Sequence, residues 1–200
     1  MRTGGLEWST AAATMPGESV SGDRHWAGPV ANGMVFAVID GLGHGRAAAA
    51  ASKIAVAMLR QYAGEPLIEL LHRCHDSLRA TRGVAMSIAE FNTADCVLTW
   101  IGVGNVEGAL MHLEPELPCH KLLLRSGVVG SHLPTLRAEQ LPIRPGDILT
   151  MVTDGVTAEH AMRVAMDAKI KSVADGILAS ACKGNDDALV LAARYRGTEP

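Results

Sequence analysis

The chain has 200 residues, 48% of them hydrophobic, and a formal net charge of −3 from 18 Lys and Arg against 21 Asp and Glu. Dispersed basic residues exclude an electrostatic footprint for nucleic acid, and apolar runs well short of the ~20 residues needed to span a bilayer exclude a membrane-spanning helix. Cys74, Cys96, Cys119 and Cys182 show no C-x-x-C spacing, so neither a zinc site nor a disulfide framework is expected, and the thiols read as reduced packing residues for the most part.

Residues 6–14 mix apolar and small polar groups and predict a first strand. Residues 16–23 are turn chemistry ending in Asp23. Residues 30–40 contain the next strand, expected to pair with the first as a hairpin. An alanine-rich helix follows over 46–62, and a second over 66–81 carries Leu67, Leu70, Leu71, Cys74 and Leu78 at helical spacing. Beyond Gly83 the pattern changes to solid or alternating apolar runs at 84–91, 96–103, 108–113 and 121–124, the signature of an antiparallel meander. Gly127, Gly130 and Pro134 mark a loop, and a turn over 141–147 feeds a strand at 148–153. Helical pattern returns over 161–182, in one piece or two, before a last strand at 188–195. Strands, a helix pair, strands, helices and a strand describe one layered α+β domain spanning residues 1–200 rather than βαβ alternation. The N-terminus lacks an apolar signal region, so a soluble cytoplasmic chain is expected.

The chain is organised around Met34 to Arg46, a buried strand that stops at Asp40, turns through Gly41, Gly43 and Gly45 and opens a helix. Alone, Asp40 is equally a turn or capping residue. Three further places repeat its situation: Asp23 after Gly22, Asp154 before Gly155, and the pair Asp186-Asp187, each at the edge of a predicted strand. Glycine after the carboxylate frees the backbone to approach a ligand and lets its own carbonyl serve as one. Carboxylates converging without His or Cys suit Mg2+ or Mn2+ rather than zinc or copper. Two such ions sharing a bridging carboxylate are a device for hydrolysing phosphate esters.

These residues resemble a known family. Ser21-Gly22-Asp23, Val38-Ile39-Asp40-Gly41-Leu42-Gly43-His44-Gly45, Thr153-Asp154-Gly155-Val156 and Asn185-Asp186-Asp187 are similar to the motifs of the metal-dependent type 2C (PPM) serine/threonine phosphatases, in their bacterial SpoIIE-like branch. The likeness is greatest to the small stand-alone phosphatases of the stressosome. It extends to Arg82-Gly83-Val84, Val103-Gly104-Asn105-Val106 and Ser126-Gly127-Val128-Val129-Gly130.

The resemblance implies a four-layer α-β-β-α sandwich of two mainly antiparallel sheets, with two Mn2+ or Mg2+ ions at one end. Asp40, Asp154 and Asp186 would be the catalytic carboxylates. Asp40 would bridge the ions, Gly41 would offer its carbonyl to one, Asp154 and Asp186 would hold the other, and Asp23 would act through a metal-bound water. Asp187 stands in reserve for Asp186. The implied reaction is in-line attack of a metal-bridging water on phosphoserine or phosphothreonine of STAS-domain stressosome proteins, by a monomeric enzyme resetting a stress signal. The same chemistry on another phosphoprotein, such as an anti-sigma-factor antagonist, and a non-catalytic binding module of the same fold are the alternatives.

Departures accompany the likeness. Leu42 occupies the position where many eukaryotic relatives carry a histidine, and His44, two residues on, reads as structural. The relatives' phosphate-binding arginine has no clear counterpart, so the phosphate-binding residue is unknown, with Arg24 the nearest candidate. Leu189 replaces a common Thr as a packing change. Gly41-x-Gly43-x-Gly45 brings its third glycine one position early for a dinucleotide fingerprint. His72, Cys74 and His75 share one amphipathic helix but point in different directions. Trp8, Trp26 and Trp100 are too scattered for base stacking.

Overall fold

The structure, a computed structural model, describes residues 2–3, 5–114 and 116–197. Met1, Gly4, Pro115 and residues 198–200 of the expected domain lie outside the described residues. The apolar run before Asp40 forms β4 (Gly33–Gly41), with Met34 through Ile39 all buried. Its two faces serve different layers, because alternate side chains of a strand point to opposite sides. Phe36 and Val38 join the core between the sheets, while Val35, Ala37 and Ile39 pack under helices.

β4 lies in a five-stranded antiparallel sheet between β3 (Asp23–Val30) and β5 (Val84–Asn92), followed by β6 (Val97–Val103) and β9 (Glu139–Pro142). The second sheet runs β1 (Arg2–Thr3), β2 (Leu6–Ala13), β11 (Ala188–Tyr195), β10 (Ile148–Val152), β7 (Glu107–Met111) and β8 (His120–Lys121). Helices α1 (Gly45–Tyr62) and α2 (Leu67–Leu78) cover the first sheet. The short α3 (Ala158–Ala161) and α4 (Ile170–Ala181) cover the second. Between the sheets, Phe36, Phe91, Trp100, Leu149, Leu191 and Tyr195 interdigitate. The result is the expected four-layer α-β-β-α sandwich. Among the described residues no helix is long and apolar enough to cross a membrane.

Four sequence expectations are corrected. The strand over 6–14 exists as β2, but it pairs with β11, in register from Leu6 opposite Tyr195 to Ala13 opposite Ala188, and not with β4. The hairpin partner of β4 is β3, most of which, residues 24–29, falls between the predicted turn and the predicted strand, where the sequence predicts no element. Pro29 is tolerated because β3 is an edge strand, where a missing N–H breaks no ladder. The meander also divides. β5 and β6 pair with each other, whereas β7 crosses to the second sheet through a turn at Gly104, whose φ is +98°. Of the strand expected at 121–124, only its first residue is a strand residue. Cys74 alone among the cysteines is buried, and Cys96, Cys119 and Cys182 are exposed, so most of them are not packing residues.

Arg194 fastens the connection between α3 and α4. It is 2% exposed, donates to Glu7 Oε1 at 2.8 Å, and donates to the carbonyls of Met166 and Ala168 at 2.8 Å each. A buried guanidinium holding two loop carbonyls gives an otherwise irregular segment a fixed position beside the second sheet.

Candidate metal centre

Asp23 opens β3 and Asp40 is the last residue but one of β4, and the antiparallel register sets them directly opposite each other. Cross-strand partners share a face, so the two carboxylates lie side by side at one end of the sheet. Gly41 follows Asp40 because α1 packs on the strand end: a Cβ there would stand 2.3 Å from the Ala48 carbonyl oxygen. The second sheet brings Asp154, just beyond β10, and Asp186-Asp187, just before the neighbouring β11.

Side chains to which sequence reasoning gave no role tie the two sheets together here. Thr153 Oγ1 donates to Asp23 Oδ2 at 2.6 Å and accepts from Leu189 N at 2.9 Å, which joins β3 to β10 and β11. Asn105 Nδ2 donates to Asp154 Oδ2 at 2.7 Å and also bonds to Asp40. Thr153 and Asn105 each lie beside a glycine or carboxylate of the family-like motifs, but neither residue type signals such a contact in the sequence.

The paired acids divide their work. Asp187 is 3% exposed, and its carboxylate accepts from Met15 N at 2.8 Å and Gly22 N at 2.7 Å. It pins the loop preceding β3. Asp186 is half-buried and, among the described residues, accepts only from Asp187 N, which leaves one carboxylate oxygen without a donor there. Asp187→Ala is therefore expected to lower stability by about 2–4 kcal/mol, since two backbone N–H groups lose a charged acceptor. Asp186→Ala is expected to cause no such loss in the metal-free protein, because it removes one local bond from Asp187 N and relieves the repulsion that Asp186 exerts on Asp23, Asp40 and Asp154. Urea unfolding of both variants in chelator checks the pair, and equal losses would remove the distinction.

The electrostatics of the cluster are those of a site short of positive charge. Burial, and then the charges of Asp23, Asp154 and Asp186, push the Asp40 carboxyl up to about 8, against the weaker effect of the Asn105 hydrogen bond. Asp23 is pushed up to about 7, chiefly by burial, with the charges of Asp187, Asp154 and Asp186 adding to it and the Thr153 hydrogen bond opposing. Asp154 is raised as well, by burial and Asp186, against Lys183 and Asn105. Lys183 Nζ donates to the Asp154 carbonyl oxygen at 2.7 Å.

The donor set consists of carboxylates and backbone carbonyls, the chemistry of a hard divalent cation. Among the described residues no three His, Cys, Asp or Glu side chains close around one point. Mg2+ does not require that, since it keeps several waters and takes one or two protein carboxylates. The residues present fit such an ion.

Other sequence candidates lie elsewhere. Arg24 is paired with Ile39, whose side chain packs under the helices, so Arg24 occupies the face of β3 opposite Asp23 and Asp40. His44 Nδ1 pairs with Glu18 Oε1 at 2.5 Å at the exposed start of α1. Cys74 is buried, which pushes its thiol up to about 12, and His75 Nδ1 accepts from Gly130 N at 3.0 Å. Beside Asp154 opens a cleft of about 370 Å³, lined by Asn105, Lys121, Thr153, Asp154, Thr157 and Lys183 among others.

The two antiparallel sheets between helices superimpose on the PP2C phosphatase domain of SpoIIE from Bacillus subtilis with a TM-score of 0.78, at 18% identity over 94% of this chain and 63% of that one, so the fold is of the type 2C kind. Residues 31–196 match the family of Stage II sporulation protein E (SpoIIE), and the chain belongs to that family. Over 90 residues it is 31% identical to the phosphoserine phosphatase RsbX of Bacillus subtilis (strain 168), a match covering 45% of this chain and 45% of that one. The aligned part thus spans less than half of that relative. The fold superimposes on a crystal structure of RsbX in complex with magnesium with a TM-score of 0.87, at 20% identity over 97% of each chain. A structure from work on the bacterial stressosome matches with a TM-score of 0.85, at 24% identity over 94% of this chain and 99% of that one. The catalytic domain of the serine/threonine phosphatase PstP, in complex with two manganese ions, matches at 0.72, with 17% identity over 96% of this chain and 98% of that one.

Proposed function

We propose that this chain is a metal-dependent protein serine/threonine phosphatase acting on phosphorylated STAS-domain proteins of a stressosome, as a monomeric single domain in the cytoplasm. The observation that carries the reading is the facing pair Asp23 and Asp40, joined by Asp154 and Asp186, in which burial and then mutual repulsion push Asp40 up to about 8. Such crowding is unfavourable for the fold by itself and is relieved by divalent cations. Membership of the SpoIIE family and the likeness to RsbX support the phosphatase activity. The stressosome structure supports the substrate class.

Asp40, the Gly41 carbonyl, Asp154 and Asp186 would hold two Mg2+ or Mn2+ ions, with Asp23 contributing through water. Bound there, the ions would supply a nucleophile from water at neutral pH and neutralise charge on the phosphoryl oxygens. The chain's own part is positioning. Asn105 fixes Asp154, Thr153 fixes Asp23, and Asp187 holds the loop that begins β3. Leu42 is apolar and donates no proton, so the leaving alkoxide takes its proton from water. The cleft beside Asp154 is open to a side chain carried on another protein.

The test is hydrolysis of p-nitrophenyl phosphate and of a phosphorylated STAS-domain protein, with manganese and with chelator. Turnover of both in manganese, abolished by chelator, is expected. Turnover of the small ester alone would replace the substrate assignment, and no turnover of either would leave a binding module of the same fold.

A further inference from the structure

A phosphate dianion approaching four carboxylates needs positive charge from the protein as well as from metal, and the first strand hairpin offers none, since Arg24 faces the helices. Lys183 is engaged with the Asp154 carbonyl oxygen. Among the motifs to which the metal centre gives no role, the one that carries an arginine is Arg82-Gly83, between α2 and β5. Val84 pairs with Gly41, so residues 82–83 run alongside the turn that follows Asp40. Leu42 N donates to the Gly83 carbonyl oxygen at 3.1 Å and links the two segments directly.

The Arg82 guanidinium lies against that turn: a Cβ on Gly43 would stand 2.9 Å from Arg82 Nη1. Gly43 has a φ of +79°, and its missing side chain leaves the space the guanidinium occupies. The backbone beneath Arg82 is fixed. Thr81 Oγ1 donates to the Leu78 carbonyl oxygen at 2.7 Å and accepts from Gly83 N at 3.0 Å. Gly83, at φ +80°, packs against Val129, where a Cβ would meet the carbonyl oxygen at 2.7 Å. Yet among the described residues no hydrogen bond or ion pair holds the guanidinium itself, and Arg82 is exposed.

We propose that Arg82 is the phosphate-binding residue of this site, its planar fork taking two oxygens of the phosphoserine or phosphothreonine phosphoryl group above the Asp40–Gly43 turn. The assignment rests on the phosphatase reading. A rigid backbone carrying an unpaired guanidinium suits bidentate recognition, which a lysine at the same place reproduces only as a point charge.

The test uses wild type, Arg82→Ala, Arg82→Lys and, as a control, Arg46→Ala, which removes an exposed arginine on the first turn of α1. Each is assayed with manganese on a phosphoserine peptide, with inorganic phosphate as inhibitor, and manganese affinity is measured by calorimetry. Arg82→Ala is expected to raise KM and the phosphate inhibition constant together by roughly tenfold, the size of one charge-assisted contact. Its kcat should stay within a few-fold, and its manganese affinity and melting temperature should not change. Arg82→Lys should recover part of the loss. Unchanged phosphate inhibition in an active Arg82→Ala enzyme would overturn the assignment and leave the phosphatase standing. An equal loss in Arg46→Ala, or a parallel loss of manganese affinity, would also overturn it, by reducing Arg82 to general attraction or to support of the turn. An inactive wild type would overturn the phosphatase reading and the assignment with it.

Discussion

Asp40→Asn is expected to abolish manganese-dependent hydrolysis, by at least about a thousandfold, while making the metal-free protein more stable at pH 8. Few substitutions separate function from folding this sharply. Asp40 shares one strand end with Asp23 and feels the charges of Asp154 and Asp186 as well as its own burial. Replacing it by an amide of the same shape removes the group on which these repulsions converge, so the remaining acids are relieved. A gain on the order of 1–2 kcal/mol follows from abolishing that unfavourable ionisation. The same change deprives a divalent ion of the central carboxylate of its donor set, and neutral amide oxygens are poor substitutes for carboxylates toward hard cations. Two measurements check this, manganese titration calorimetry and urea unfolding in chelator. Retained activity would move the metal centre away from Asp40. Lost activity with lost stability would make Asp40 a structural residue of the turn.

The parts of this site that were legible in the sequence are those where an acid interrupts an apolar strand. Met34 to Ile39 could hardly be anything but a buried strand, so Asp40 stood out at its end, and Ile148 to Val152 did the same for Asp154. β3 was not legible, because His25, Gly28 and Pro29 spoil any strand pattern and only its edge position makes them acceptable. The pairing of β2 with β11 joins opposite ends of the chain, where local pattern carries no information. β7 reads like its neighbours, and only the backbone turn at Gly104 sends it to the other sheet.

Among the site residues, the difference between Asp186 and Asp187 came from family likeness, whereas the structure supplies a physical difference. One carboxylate is consumed by two backbone donors, and the other keeps an oxygen to which no donor points among the described residues. Arg82 shows the opposite case. A charged residue after a helix reads as solvated surface, and its value appears only when the Gly43 turn is seen beneath it.

The unoffset charge of the cluster also predicts how stability follows pH. Both Asp40 and Asp23 have folded values raised far above those of an unfolded chain, to about 8 and about 7. Between about pH 4 and those values the folded state therefore binds more protons than the unfolded state, and unfolding free energy falls as pH rises. His25 works in the other direction, since burial lowers its value, but only while the unfolded imidazole still titrates, below about pH 6.5. Cys74, raised to about 12, adds to the decline only once unfolded thiols ionise, above about pH 8.5.

The window from pH 6.5 to 8.5 thus isolates the carboxylates. Across it, the metal-free protein is expected to lose about 2 kcal/mol, mostly through Asp40. Saturating manganese should reverse the slope, because ions bind the deprotonated carboxylates and each metal-bound folded molecule gains from their ionisation. Asp40→Asn in chelator should be nearly flat. Urea unfolding at pH 6.5, 7.5 and 8.5, with chelator and with manganese, gives all three curves. A metal-free curve that is level or rises would mean that these acids are already compensated within the protein, and the case for a cation at this end of the sheets would lose its electrostatic basis.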